Sequence, residues 1–406
     1  MHIGIVGPIA TEDIAHLMDG DTSGLPKGYS GGPLLVTLIS EFLRCDHQVS
    51  AFTLSNDMPL KSGTSVTARG VRFSLSYSPM RPRAWRPNGR FPGRILDLYQ
   101  FEIGELQSAI ARAGPDIVHA HWLYEFARAA VASKIPHVVT CHDSPYRIAK
   151  MASNSRPTRS LYRWLRTLMA RRVLREAHYI TAVSPYMRDE VQALATTRIT
   201  VVPNPVDNLA LSLFRQRKAP PVPRIAMVCN GWDARKNPEP GLQAFAELRS
   251  DMRAAELHLF GSDFGPREKA EHWCSARGIG DGMVFHGSIP HFQLLKALAE
   301  FDMLLHPSIE ESFGMSIAEG MAMGLPVVAG EASGAVPWVV GNTGALCDVR
   351  QVSSILNAMR KVLVPENYID HSMNGHRRIE AMFTVNAVAK AYLETYHASI
   401  SSGGRS

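Results

Sequence analysis

The fold turns on residues 306–330, "HPSIEESFGMSIAEGMAMGLPVVAG". The apolar run Met303-Leu304-Leu305 leads into this stretch, and Pro326-Val327-Val328-Ala329 closes it. Between them lie a polar loop, a helix-like segment starting near Phe313-Gly314-Met315, and a glycine stop. Strand, loop, helix and strand in that order make one unit of a parallel α/β sheet. The amides at a helix start lack partners, and the positive dipole end there favours an anion or sugar oxygens. Gly314 lets a ligand approach the backbone closely. Glu311 stands just before this start, and Glu319 lies further into the helix. Taken alone, the pair reads two ways. Glu311 is a charge complementing the dipole and Glu319 a solvated helix residue, or both grip a substrate, Glu319 through a diol such as a ribose.

The same rhythm extends outward in both directions. Short β-branched runs ("HIGIV", "HQVSAFTL", "DIVHAH", "HVVTCH", "YITAVS", "ITVVP") alternate with helix-like segments. After a break it resumes with "RIAMVCN", "ELHLFG", "MVFHG", "MLLHPS" and "PVVAG". The break, "NPVDNLALSLFRQRKAPPVPR" (204–224), is rich in Pro and basic residues and reads as an interdomain linker. The expected architecture is α/β: two doubly wound, parallel-sheet, Rossmann-like domains facing across a cleft. The boundaries are expected at 1–205 and 206–379, with a C-terminal helix of about 380–400 packing back on the first domain. In such sheets, ligands bind beyond the carboxyl ends of the strands.

Bulk properties narrow the class. At 406 residues the chain suits two domains, and 45% hydrophobic with 20% charged residues is a globular composition. No apolar run is long enough to span a bilayer. The start, "MHIGIVGPI", lacks the charged and long apolar regions of a secretory signal. Five widely spaced cysteines without a C-x-x-C pair read as reduced thiols, which argues against a disulfide framework and a zinc site. A cytoplasmic location is therefore expected. The net charge of +6 and pI near 9.1 suit anionic substrates, anionic lipid or nucleic acid. The tail "SSGGRS" is expected to be disordered.

With these landmarks in order, the chain resembles the retaining, nucleotide-sugar-dependent glycosyltransferases of family 4, which have the GT-B fold. "EESFGMSIAE" looks like their E-x7-E motif. "GYSGGPLLVTLISEFLRCDHQVSAFTL" resembles their first Gly-Gly loop, helix and second strand. "DIVHAHW", "VVTCHD", "ITAVSPYMRDEV" and "VVPNPVD" resemble successive strand ends, and "CNGWDARKNP" the loop opening the donor domain.

The resemblance implies a sugar transfer from a UDP- or GDP-sugar to an acceptor hydroxyl, with no metal or other cofactor required. The acceptor would be a glycan or lipid-linked glycan of bacterial-type surface polysaccharide or glycoconjugate synthesis. Lys236 matches the lysine that contacts the donor diphosphate, where a fixed ammonium stabilises the departing charge. The family's usual arginine is replaced by Gly231 or Trp232, and Arg235 is the stand-in. Glu311, with the amides of Phe313, Gly314 and Met315, would hold the sugar, and Glu319 the ribose. Gly31 and Gly32 match the loop at the diphosphate, His142 a histidine near the donor sugar, and Ile289 a position whose backbone reads the base. Two rivals stand beside this reading: a nucleotide-sugar epimerase on a similar fold, and a non-catalytic sugar-nucleotide scaffold.

Other signals read as structural. "DGD" at 19–21 falls in a polar loop rather than at an apolar strand end. His119 and His121 share a strand face but lack a third ligand at suitable spacing. Gly4 and Gly7 do not make a dinucleotide fingerprint. From Arg147 to Arg175 there are nine Lys/Arg and no Asp/Glu. Arg159, Arg163 and Arg166 fall on one side of a helix there, with Tyr162, Leu165, Met169 and Val173 near another. Residues 147–175, aided by "RPRAWRPNGR" (81–90), read equally as a contact for an anionic membrane, peripheral on its inner face, or as a packed helix with solvated arginines. No nucleic-acid partner is expected, because no recognition module is present.

Overall fold

In the computed structural model, which describes residues 1–61, 63–83, 93–151 and 157–403, the apolar runs form two separate sheets. The chain divides into a first unit, Met1–Pro205 with Val385–Ser406, and a second, Val206–Thr384.

The first unit's strands are β1 (His2–Val6), β2 (Gln48–Ser55), β3 (Val66–Gly70), β4 (Phe73–Pro79), β5 (Ile117–His121), β6 (His137–Cys141), β7 (Tyr179–Ala182) and β8 (Thr200–Val201). They lie in the order β3-β4-β2-β1-β5-β6-β7-β8, with every pairing parallel except β3 on β4. The order reverses at β1, the position at which doubly wound sheets bind ligands. The strand β5 is buried at all five positions, as expected of a sheet covered on both faces. The pair β3–β4 was not expected from the sequence. "FSLSYSP" alternates apolar residues with serines, and β3 is a half-exposed edge carrying Arg69.

The second unit's strands are β9 (Arg224–Val228), β10 (Glu256–Phe260), β11 (Met283–Gly287), β12 (Met303–His306), β13 (Val327–Gly330) and β14 (Ala345–Cys347). Their order is β11-β10-β9-β12-β13-β14, all parallel. Its core gathers Met227, Leu242, Phe245, Leu257, Leu305 and Tyr368. Both sheets are thus the parallel α/β architecture read from the sequence.

The segment 204–224 is not a free linker. Asp207 caps the helix Asn208–Ser212 by accepting from Leu209 N at 2.8 Å, and buried Arg217 donates to the carbonyls of Ala299, Phe301 and Met323. The single helix expected near the C-terminus is two, Pro365–Met382 and Val385–Gly403. The break falls where Phe383 is fully buried against Phe313 and Trp338, and where its carbonyl accepts from Val206 N at 2.8 Å. The second of these helices packs on the first unit, where Tyr396 Oη lies 2.6 Å from His119 Nδ1. It continues through Ser401–Gly403, and the last three residues of the tail lie outside those described.

The basic segment also departs from expectation. The helix Pro157–Glu176 buries Tyr162, Met169 and Val173, yet Arg166 is not on its outer face. Its guanidinium lies 3.7 Å from the Tyr124 ring centroid and 3.3 Å from Glu125. Arg81 is likewise buried, in ion pairs with Glu102 at 2.7 Å and Asp97 at 2.8 Å. Residues 84–90 of the second basic stretch and the Arg159 side chain lie outside the described residues. Asp19–Asp21 occupy a loop, as the sequence suggested.

Candidate active site

The second unit assembles its cluster from three strand-end loops. After β9, Asp233 Oδ1 accepts from the amides of Arg235 at 3.0 Å and Lys236 at 2.9 Å, which folds the loop back on itself. Asn237, in left-handed backbone (φ 48°), opens the helix Pro238–Asp251. Its Nδ2 donates to Pro307 O at 3.1 Å and Val349 O at 2.9 Å, so it clasps the chain beyond both β12 and β14. Ile309 N donates to Arg235 O at 2.8 Å. These bonds bring Lys236 against Glu311.

Lys236 Nζ donates to Glu311 Oε1 at 2.6 Å, and both side chains are 12% exposed. His306, the last residue of β12 and almost wholly buried, places Nε2 3.2 Å from the same oxygen, while Arg235 stands 3.9 Å away. Burial pushes the Glu311 carboxyl up. The Lys236 charge, the His306 hydrogen bond and the Arg235 charge outweigh that and hold it far below the usual carboxylate range. Glu311 O accepts from Ala335 N at 2.9 Å, which fixes the backbone beneath it.

The helix that follows is Met315–Ala322. Gly314 precedes it at φ +97°, a left-handed conformation that favours glycine. The first backbone bond into the helix runs from Ala318 N to Gly314 O at 3.1 Å, so the earlier amides, Met315 among them, lack intrahelical partners. The Phe313 side chain is core, edge-on to Phe383 and Trp338, so only its backbone faces this helix start. Glu319 is not a solvated helix residue: it is 3% exposed and lies 2.7 Å from His291 Nε2. Ile289 sits two residues ahead of His291 in the loop after β11.

In the first unit the two loop glycines differ. A Cβ on Gly32 would lie 2.6 Å from Pro8 O, so close packing requires that glycine. Gly31, at φ +134°, has open space around it and lines a cavity of about 310 Å³. His142, just past β6, is buried, stacks on Trp122 at 4.3 Å and holds Nε2 2.8 Å from His121 Nδ1. Burial lowers its pKa to about 3. Burial also drives His119 and His121 well below the ordinary histidine range. His119 bonds Tyr396 at 2.6 Å and Thr140 at 2.7 Å, a packing role. Among the described residues no cluster suits a metal ion.

Lys236, Arg235 and Glu311 therefore converge, joined by a partner the sequence reading missed. His306 ends the apolar run "MLLH" five residues before Glu311, which was the available signal. His291 was missed as well, since a lone histidine 28 residues from Glu319 carries no periodic cue.

Two family models match the chain: "Glycosyltransferase Family 4" over residues 33–208 and "Glycosyl transferases group 1" over 222–364. Glycogen synthase of Mycobacterium tuberculosis is 27% identical over 300 residues, 70% of this chain and 69% of that one. N-acetyl-alpha-D-glucosaminyl L-malate synthase of Bacillus anthracis is 25% identical over 354 residues, 79% and 87% of the two chains. Sucrose-phosphate synthase from Thermosynechococcus elongatus superposes with a TM-score of 0.75 at 19% identity, covering 99% of this chain and 100% of that one. The chain belongs to the glycosyltransferases of the GT-B fold, family 4 type.

Proposed function

We propose that the protein transfers a hexosyl group from a UDP- or GDP-sugar to an acceptor hydroxyl with retention of configuration. The acceptor class is a glycan or lipid-linked glycan of polysaccharide or glycoconjugate synthesis. The observation that carries the reading is the Lys236–Glu311 pair at 2.6 Å, set beside a helix start with free amides. Lys236, with Arg235 beside it, meets the negative charge of the departing diphosphate. Glu311, ionised by its neighbours, accepts hydrogen bonds from sugar hydroxyls while the 313–315 amides donate. Glu319, oriented by His291, grips the ribose diol. Gly31 approaches the diphosphate through its backbone, Ile289 reads the base, and His142 acts only as a neutral hydrogen-bonding group. The leaving phosphate takes the proton of the attacking hydroxyl on the same face of the sugar, which gives retention without a covalent glycosyl-enzyme. No metal is needed, because lysine, arginine and helix amides supply the positive charge.

A panel of nucleotide sugars screened by thermal shift identifies the donor, since a ligand of the folded state raises its stability. Product analysis follows. Conversion of the donor without any acceptor would favour the epimerase, and binding without turnover the scaffold.

A second reading, peripheral attachment to an anionic membrane, rests on one observation. Leu161 (61% exposed), Trp164 (47%) and Leu168 (57%) form an outward stripe on the helix Pro157–Glu176, with Arg171, Arg172 and Arg175 near its end. Apolar side chains framed by arginines suit a lipid interface. No helix among the described residues is long and apolar enough to cross a membrane. Sedimentation with phosphatidylglycerol vesicles should lose the protein when Trp164 and Leu168 become serine; undiminished sedimentation rejects this attachment.

A further inference from the structure

The first unit's cavity of about 310 Å³ is of small-molecule size. Its walls include Tyr29, Trp122, Tyr124 and Phe126, flat faces on which a sugar or polyol ring can stack. Its inner charges are spoken for. Arg166 accompanies Glu125 at 3.3 Å and donates to the hydroxyls of Tyr99 and Tyr162 at 3.0 Å each. Asp143 accepts from Tyr124 Oη at 2.9 Å, and burial raises its carboxyl toward the neutral form.

Arg83, which is exposed, and Arg163, which is half-buried, are different. Arg83 and Arg163 lie 4.8 Å and 5.8 Å from the centroid of one ring, that of Tyr162, and both line the cavity. Among the described residues neither has a carboxylate within ion-pair distance, although Arg81 and Arg166 nearby both do. Two guanidinium groups beside one phenol ring repel each other, and an anion bound near both offsets that repulsion. Arginine forks also match phosphate and carboxylate oxygens in pairs. A further polar group lies in the wall. Glu125 Oε2 is buried there with Arg166 Nη2 at 3.3 Å as its ion-pair partner, and among the described residues it receives no hydrogen bond. A carboxylate oxygen has a second lone pair, which suits a ligand hydroxyl.

We propose that this cavity binds a small polyhydroxylated acceptor carrying an anionic group, a phosphomonoester or a carboxylate. Arg83 and Arg163 hold the anion, the aromatic walls take the ring, and Glu125 accepts from one of its hydroxyls. Calling this ligand the acceptor rests on the transferase reading above.

The test is calorimetric titration of the full chain with inorganic phosphate, and separately with malonate, in the presence of saturating UDP or GDP, whichever binds. The nucleotide keeps phosphate from reporting on the Lys236 cluster. One saturable site per chain is expected, and whichever anion binds more tightly names the group. Arg83→Gln and Arg163→Gln should each weaken binding about 10-fold, and the double variant should abolish it, with melting temperatures near the parent's. Absence of saturable binding of either anion, or binding undiminished in the folded double variant, overturns the site. UDP and GDP are each titrated alone beside these runs. Intact nucleotide binding with no anion binding removes only the acceptor proposal. Failure of both UDP and GDP to bind removes the transferase reading, while loss of anion binding in the variants still reports on the arginines.

Discussion

In the second unit, Glu311 keeps its charge under burial because Lys236 Nζ sits 2.6 Å away and His306 and Arg235 crowd the same oxygen. In the first unit, His119, His121 and His142 form a buried column whose rings stand 4.0 Å and 5.1 Å apart, with no carboxylate hydrogen-bonded to them among the described residues. Burial there strips the charge. The difference is one of pairing rather than depth: desolvation penalises every buried ion, and only a close opposite charge offsets it. One cluster is thereby suited to meeting charge on a leaving group, and the other to holding shape and offering neutral hydrogen bonds.

The contrast is broken most strongly at Lys236. Lys236→Ala should slow transfer by about 100- to 1,000-fold in steady-state assays, and unchanged turnover would remove the lysine from the mechanism. The two clusters should also separate along the pH axis. The column's folded pKa values lie below the unfolded value of 6.5, so its stabilisation is complete above pH 6.5 and declines as pH falls toward about 3. Glu311, depressed from 4.5, contributes above that pH and loses its contribution only below it. Denaturant melts from pH 7 to 4.5 should therefore show stability falling by up to about 1.4 kcal/mol per pH unit per histidine. His142→Gln should reduce that slope, whereas Glu311→Gln should flatten only the limb below 4.5. An equal slope in parent and His142→Gln would mean the column is charged after all. The smallest effect is expected at Arg235, which is 33% exposed and 3.9 Å from Glu311. Arg235→Ala should slow transfer by about 10-fold or less, because an exposed ion contact is screened. A loss matching that of Lys236→Ala would promote it to an equal partner.

The sequence showed most of the fold because buried parallel strands are nearly continuous apolar runs, as in "IVHAH" and "MLLH". It hid β4, whose serines interrupt the run, and the edge strand β3 paired to it. Glu311 and Glu319 were singled out by their place at the helix start, and Lys236 by the family resemblance of "ARKN". His306 and His291 were not, because each acquires meaning only from a carboxylate brought to it by the fold. Arg166 misled for a related reason. Helical periodicity places it beside Arg163, but the residues that draw it inward, Tyr99, Tyr124 and Glu125, come from distant segments.

The Asn237 clasp has a consequence for how this protein can vary over generations. One side-chain amide ties the chain beyond β12 to the chain beyond β14 from a helix start that follows β9. A residue inserted in any of these three loops would pull Lys236 out of register with Glu311. Substrate preference in descendants of this chain should therefore shift by exchanging side chains on loops of constant length, and insertions should accumulate elsewhere on the surface.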